Sequence, residues 1–91
     1  MYAVLVTLTI EPVLAPVAAA ALMEDIMPSV RSAPGFIAGY WMEPVDGRGL
    51  SMVLFESEDE ARAATPPAVD WTAPGVTIEG TEVRRVAATA P

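Results

Sequence analysis

The sequence predicts an α+β fold, with two helices covering one face of a four-stranded antiparallel sheet. Strand-like runs rich in β-branched and aromatic residues alternate with two helix-like segments, in the order β-α-β-β-α-β. The pair Asp46-Gly47, between the second and third strand-like runs, is typical of a β-hairpin. The length of 91 residues fits a single domain over residues 1–91.

The first strand is predicted over residues 2–10, followed by a helix over 14–32. In the strand, alternation places one apolar set on a common face: Tyr2, Val4, Val6, Leu8 and Ile10. In the helix, apolar residues recur at spacings of three and four and form a stripe: Val17, Ala21, Leu22, Met23, Ile26, Met27 and Val30. Pro16 suits the first helical turn, whereas Pro28 is expected to kink the last one.

The second half of the chain repeats the order strand, helix, strand. Residues 36–43 and 49–56 are predicted to pair as antiparallel strands around the Asp46-Gly47 turn. The run Ser57 to Glu60 has the pattern of a capping box, which predicts a short helix ending near Thr65. A proline-rich loop over 66–75 and a last strand over 76–87 complete the prediction.

This element order is that of the ferredoxin-like split β-α-β arrangement. The second and third strands carry apolar residues on both faces, and strict alternation divides them as Phe36, Ala38, Tyr40 and Met42 against Ile37, Gly39 and Trp41. A solvated sheet face would show alternating polar residues instead. We therefore expect the face without helices to pack on a second copy of the chain, forming a homodimeric α/β barrel.

The composition also favours self-association and excludes some partners. Hydrophobic residues make up 53% of the chain and charged residues only 19%, which is more apolar surface than a small core hides. The net charge is −7, and the five cations are all arginine. Such an acidic chain lacks the positive surface that nucleic acids or anionic membranes require, so we expect neither as a partner.

The N-terminal region is apolar and almost uncharged, as in a signal peptide or a membrane span. No Lys or Arg precedes Arg31, so the positive region of a signal peptide is missing. Glu11, Pro12 and Pro16 interrupt the apolar run and are expected to prevent a membrane span. A cytoplasmic protein is the prediction.

The residue inventory excludes several chemistries. The sequence has no His, Cys, Lys, Asn or Gln, so it cannot form a His-based triad, a thiol nucleophile, a Schiff-base lysine or a zinc site with nitrogen or sulfur ligands. Its six glycines match neither dinucleotide-binding nor P-loop spacing. We expect no metal and no cofactor.

The remaining candidates for a ligand pocket are aromatic and arginine side chains: Trp41, Tyr40, Arg31, Arg48 and Trp71. Trp41 and Tyr40 could stack on a flat ligand, but strand aromatics more often belong to a core or a dimer interface. Arg31 and Arg48 could hold an anion, although Arg31 also suits the end of a helix. Trp71 in the proline-rich loop could be a lid or could cover the edge of the core.

Two segments carry a resemblance to a known family: Ala33 to Trp41 with Asp46-Gly47, and Ser51 to Ala61. They resemble the dimeric α/β-barrel proteins, and in particular the small antibiotic-biosynthesis-monooxygenase-like domains. The resemblance implies a homodimer with a pocket between sheet and helices, binding a small apolar or aromatic molecule, with Trp41 and Tyr40 beside it. Cofactor-free oxidation is one implied activity. Because the Asn and His of the active members are missing, a non-catalytic binding or dimerisation module is the alternative.

Overall fold

The computed structural model describes residues 1–66 and 73–91. Its elements are strand β1 (Tyr2–Ile10), a long helix (Pro12–Arg31), strands β2 (Phe36–Trp41) and β3 (Arg48–Phe55), a short helix (Glu58–Ala63) and strand β4 (Val76–Arg85). The strands form one antiparallel sheet in the order β2-β3-β1-β4. The predicted α+β class is confirmed, and the arrangement is consistent with ferredoxin-like topology.

The core lies between the sheet and both helices. It is built from four strand residues and three helix residues: Val4, Val6, Val53 and Phe55, with Val30, Ala61 and Ala64. The first strand contributes through the face that alternation predicted, since Val4 and Val6 are fully buried and Tyr2 and Leu8 pack beside them. Both helices therefore cover the same side of the sheet.

Strand β2 does not alternate regularly at its start. Phe36 is opposite Phe55, whereas Ala38 is opposite Leu54, so the strand contains a bulge at Ile37. The bulge turns Phe36 onto the helix-covered face, where its ring meets Phe55 edge-on with centroids 6.3 Å apart. Strict alternation wrongly grouped Phe36 with Tyr40, because it cannot anticipate an extra residue in one strand.

The long helix begins two residues earlier than predicted and changes its winding along its length. It consists of a 3₁₀ turn (Pro12–Leu14), an α-helical part (Ala15–Ala21), a π-helical part (Leu22–Ile26) and a last α-helical part (Met27–Arg31). Pro28 explains the π-helical part, because it lacks the N–H that would bond residue 24 and its ring crowds that carbonyl. The predicted disturbance at Pro28 is thus a π bulge on the preceding turn.

The inner side of the long helix differs from the predicted stripe. Ala18 and Val30 are buried, whereas Val17 is 47% exposed and Met23 is 62% exposed. The segment is apolar on nearly all sides, so its periodicity does not define one buried face. The π bulge adds a further shift in register, which no regular stripe reproduces.

The long helix also meets the length and hydropathy of a membrane span. Pro12–Arg31 is 20 residues long and predominantly apolar, and only 11% of its most apolar 18 residues are buried. The prolines expected to interrupt this run lie inside a continuous helix instead. Core helices of globular domains and N-terminal signal sequences satisfy the same criterion, so length and composition alone do not identify a span.

Both turn signals in the second half of the sequence are confirmed. Asp46 and Gly47 have φ values of 52° and 74°, and Val45 and Arg48 exchange two backbone hydrogen bonds of 2.9 Å across the turn. Ser57 caps the short helix, since its Oγ accepts from the Glu60 N–H at 3.2 Å. The Glu60 carboxylate in turn accepts a hydrogen bond from the Ser57 hydroxyl at 2.9 Å.

Candidate functional site

A cavity of about 400 Å³ lies between the long helix and the sheet. The helix supplies one wall and all four strands supply the other, and Ala73 borders it from the loop that precedes β4. The described lining residues are Leu8, Ile10, Ala15, Pro16, Ala18, Ala19, Leu22, Ile26, Trp41, Met42, Pro44, Gly49, Leu50, Ser51, Ala73 and Val76. The lining is almost entirely apolar.

Small side chains create this space. The helical wall presents three alanines, Ala15, Ala18 and Ala19, where larger residues would reach the sheet. On the sheet, Gly49 cannot carry a side chain without conflict, because a Cβ there would lie 2.6 Å from Leu8 Cδ1. The helix therefore stays apart from the sheet along its first half, while Val30 closes the core further on.

The start of the long helix is fixed to the sheet on the other side of the cavity. The Glu11 N–H donates to the Gly75 carbonyl at 2.8 Å, just before β4 begins. Leu14 packs against Gly75 so closely that a Cβ on the glycine would lie 2.6 Å from Leu14 Cβ. The helix is thus held at its start by this hydrogen bond and near its end by Val30 in the core. The alanines between these two points form the helical wall of the cavity.

Trp41 is oriented by a glycine two residues earlier on the same strand. A Cβ on Gly39 would lie 2.5 Å from Trp41 Cη2, so the indole ring lies across the space that Gly39 leaves open. The ring packs against the core cluster and borders the cavity. Gly39 thus leaves the room that this position of the indole needs.

Two buried polar atoms at the cavity have no hydrogen-bond partner among the described residues. They are Trp41 Nε1 and Ser51 Oγ, and Ser51 is only 2% exposed. Buried polar groups in proteins are nearly always paired, because an unpaired one loses its hydration without compensation. Both atoms are covered by neighbouring protein atoms, although the residues that carry them line the cavity.

The two residues are direct neighbours across strands β2 and β3. Trp41 and Ser51 are register partners, and the adjacent Met42 N–H donates to the Leu50 carbonyl at 2.9 Å. Hydrogen-bonded and non-hydrogen-bonded pairs alternate along an antiparallel ladder, so Trp41 and Ser51 form the second kind. Side chains approach more closely in such pairs, which brings the indole and the hydroxyl together on one face.

The cavity contains no ionisable side chain among its described lining residues. Within residues 1–66 and 73–91 there is also no group of three or more acidic residues placed to hold a metal ion. A general acid or base is therefore missing from the described lining, and what the site offers is shape and apolar contact.

Of the four predicted site residues that the structure describes, one lines the cavity. Trp41 lines it, whereas Tyr40 lies on the opposite sheet face and is 49% exposed. Arg31 is exposed in the last turn of the long helix, and Arg48 borders a shallow depression on the opposite face, beside Thr9 and Glu79. Trp71 lies outside the described residues.

Ser51 was missed by the sequence analysis. The sequence pattern did contain an indication of it. Ser51 shares a strand face with Val53 and Phe55, and a serine is unusual on a fully buried face. Gly49 precedes it on that face, so two small residues mark the place where the sheet leaves room.

No protein-family model matches the chain, and no curated protein matches it significantly.

Proposed function

We propose that this protein binds a small, largely apolar molecule in the cavity between the long helix and the sheet. The observation that carries the proposal is the apolar cavity of about 400 Å³, bordered by the alanines of the long helix and by Gly49. Ligand sites are typically concave and mainly apolar. A module that serves only in dimerisation would not need this space.

Binding is better supported than acid–base catalysis. The described lining offers no carboxylate, imidazole or amine that could transfer a proton at neutral pH. The resemblance to antibiotic-biosynthesis-monooxygenase-like domains makes cofactor-free oxidation a second candidate, and the apolar surroundings of Trp41 favour it. In that case the bound molecule would itself supply the electrons to dioxygen, and the cavity would exclude water.

We also propose that the protein is a homodimer formed through the sheet face opposite the helices. Two register rows present apolar side chains on this face of β1, β2 and β3, namely Leu5, Met52 and Tyr40, and Ala3, Leu54 and Ala38. The rows end on β4 at Glu82 and Arg84. Tyr40 and Leu50 are 49% and 45% exposed there. Packing on a second sheet would remove this surface from water. A cytoplasmic location without nucleic-acid or membrane partners also stays a prediction.

Native and denaturing mass spectrometry of the purified protein test the binding proposal. We expect extra mass in the native spectrum that disappears on denaturation. The variant Ala18→Phe places a ring into the cavity and is expected to lose that mass. Ala20→Phe is the matched control, because Ala20 is exposed on the same helix and does not line the cavity.

The proposal is contradicted if Ala18→Phe and Ala20→Phe retain the same extra mass, since the molecule would then bind elsewhere. Circular dichroism of both variants checks that the helix still forms. If no extra mass co-purifies, small uncharged probes added to the wild type take its place, with the same pair of variants. Oxygen uptake above the uncatalysed rate, measured with a molecule that binds, tests the oxidation candidate.

A further inference from the structure

The cavity has a closed end and an open end. Its lining is buried at Ala18 on the long helix and at Ser51 on β3, which are 6% and 2% exposed. Other lining residues are exposed, and they belong to the first half of the helix and to the segment after β2: Ala15, Pro16, Ala19, Met42 and Pro44. A ligand therefore enters between these two segments, and its outer end stays near this mouth.

The closed end offers little to a charged group. No ionisable side chain belongs to the described lining, and the two polar side-chain atoms of Trp41 and Ser51 are covered by protein atoms. An ion that moved into such surroundings would lose its hydration without gaining a counter-charge. The interior therefore accepts the uncharged, apolar part of a ligand.

The mouth is bordered by acidic residues. Glu43 lies between two residues of the lining, and Glu11 directly follows a third, Ile10. Asp46 belongs to the same border, because the carbonyl of the next residue, Gly47, accepts a hydrogen bond from the Ile10 N–H at 2.7 Å. All three acids are exposed. We call Glu11, Glu43 and Asp46 the acidic rim.

The five arginines of the chain do not neutralise the acidic rim. Arg62 and Arg84 pair with acids on their own elements. Arg31 and Arg85 lie at the ends of the long helix and of β4 that are farthest from the mouth. Arg48 follows the hairpin turn but borders the depression on the opposite sheet face. The rim therefore adds a local negative potential to a chain of net charge −7, and that potential repels an anion at the entrance.

We propose that the cavity selects uncharged, hydrocarbon-like molecules and excludes carboxylates that have the same apolar body. This proposal rests on the proposed binding function and adds the charge class of the ligand. The interior discriminates through the loss of hydration. The acidic rim prevents the alternative in which the apolar body enters and an anionic head group stays at the mouth.

Two probes with one apolar body test the proposal: tetralin-2-carboxylate and its uncharged methyl ester. Equilibrium dialysis on the intact chain measures both dissociation constants at neutral pH and low ionic strength, where exposed charges are least screened. We expect the wild type to bind the ester about tenfold or more tightly than the carboxylate. Ala18→Phe should abolish binding of the ester, because its ring occupies the cavity.

Two double variants assign part of this preference to the acidic rim. Glu43→Gln with Asp46→Asn removes two rim charges, and we expect it to reduce the preference for the ester severalfold, as two exposed charges imply. Glu56→Gln with Asp59→Asn is the matched control, because it removes two exposed charges beyond the other end of β3. The control should retain the wild-type preference.

Each contradicting outcome has its own meaning. If the wild type binds the carboxylate as tightly as the ester, the charge selection is wrong and the apolar binding site stands. If the two double variants show the same preference, the assignment to the acidic rim is wrong. If neither probe binds the wild type, the binding function and the charge selection both fail.

Discussion

Trp41 and Ser51 face each other across strands β2 and β3, and each buries a polar atom that no described residue pairs with. Both atoms are covered by the surrounding protein. Each unpaired group costs stability, because it loses its hydration on burial without gaining a hydrogen bond.

The first prediction follows from this cost. Ser51→Ala removes a buried hydroxyl that has no partner, so we expect it to raise the free energy of unfolding of the ligand-free protein by about 1 kcal/mol. Ser57→Ala is the contrasting variant, because it removes a helix cap and should lower that free energy by about 1 kcal/mol. Urea denaturation measures both. Destabilisation by Ser51→Ala would show that the hydroxyl is paired in solution.

Gly39→Ala is predicted to displace the indole of Trp41. The added Cβ would lie within 2.7 Å of two ring atoms, so the ring must move or the strand must shift. We expect a loss of stability of about 1–3 kcal/mol and a changed emission spectrum of Trp41, recorded with Trp71→Phe as background. Ala38→Ser, on the opposite sheet face, should leave the spectrum unchanged. An unchanged emission spectrum in Gly39→Ala would contradict the claim that Gly39 makes room for the indole of Trp41.

Gly35→Val is predicted to destabilise the turn between the long helix and β2. Gly35 has a φ of 79°, a conformation that β-branched residues adopt only with strain. A side chain there would also meet the Glu60 carboxylate, which takes part in capping the short helix. We expect a loss of about 2 kcal/mol or more in thermal or urea unfolding. An unchanged melting temperature would contradict this role of the glycine.

Met52→Asp is predicted to separate the proposed dimer without unfolding the protomer. Met52 occupies the middle of an apolar row on the sheet face that lacks helices, between Leu5 and Tyr40. A buried, unpaired carboxylate at a sheet-to-sheet interface is strongly unfavourable. Light scattering after size exclusion should show half the wild-type mass, whereas Val17→Asp on the exposed side of the long helix should not change it. If the wild-type protein is itself a monomer, the proposed homodimer is contradicted.

Phe55→Asp tests a different property. Alternation alone leaves open which side of β3 faces a second copy, but Phe55 is fully buried under the helices beside Val53. We therefore expect Phe55→Asp to unfold the protomer rather than to split a dimer. If Phe55→Asp instead gives a folded monomer, the dimer forms through the helix-covered face, and the proposed interface is contradicted.

Much of the fold was predictable because its signals are local. The hairpin at Asp46-Gly47 and the cap at Ser57 depend on a few adjacent residues, and both formed where the sequence predicted them. The buried face of the long helix was not predictable, because its apolar residues surround the helix and Pro28 shifts the register through a π bulge. The bulge at Ile37 could not be predicted either, because it depends on how β2 pairs with β3.

The candidate site was only partly predictable. Trp41 stood out as an aromatic residue on a strand, but the arginines were chosen for their charge, and Arg31 and Arg48 lie away from the apolar cavity. Ser51 matters because its hydroxyl is unpaired, and pairing is a property of the folded structure. The cavity itself arises from the alanines of the long helix and Gly49, which come together only through tertiary packing.

The most direct test of the account is the ¹H–¹⁵N spectrum of the Trp71→Phe variant, in which Trp41 gives the one tryptophan indole N–H signal. On titration with tetralin, a small bicyclic hydrocarbon, we predict a saturable shift of that signal, because Trp41 lines the cavity. The signal should stay unchanged when Ala18→Phe is added, since its ring occupies the cavity. An indole signal that does not move when tetralin is bound to the Trp71→Phe variant would contradict the central claim that the cavity beside Trp41 is the binding site.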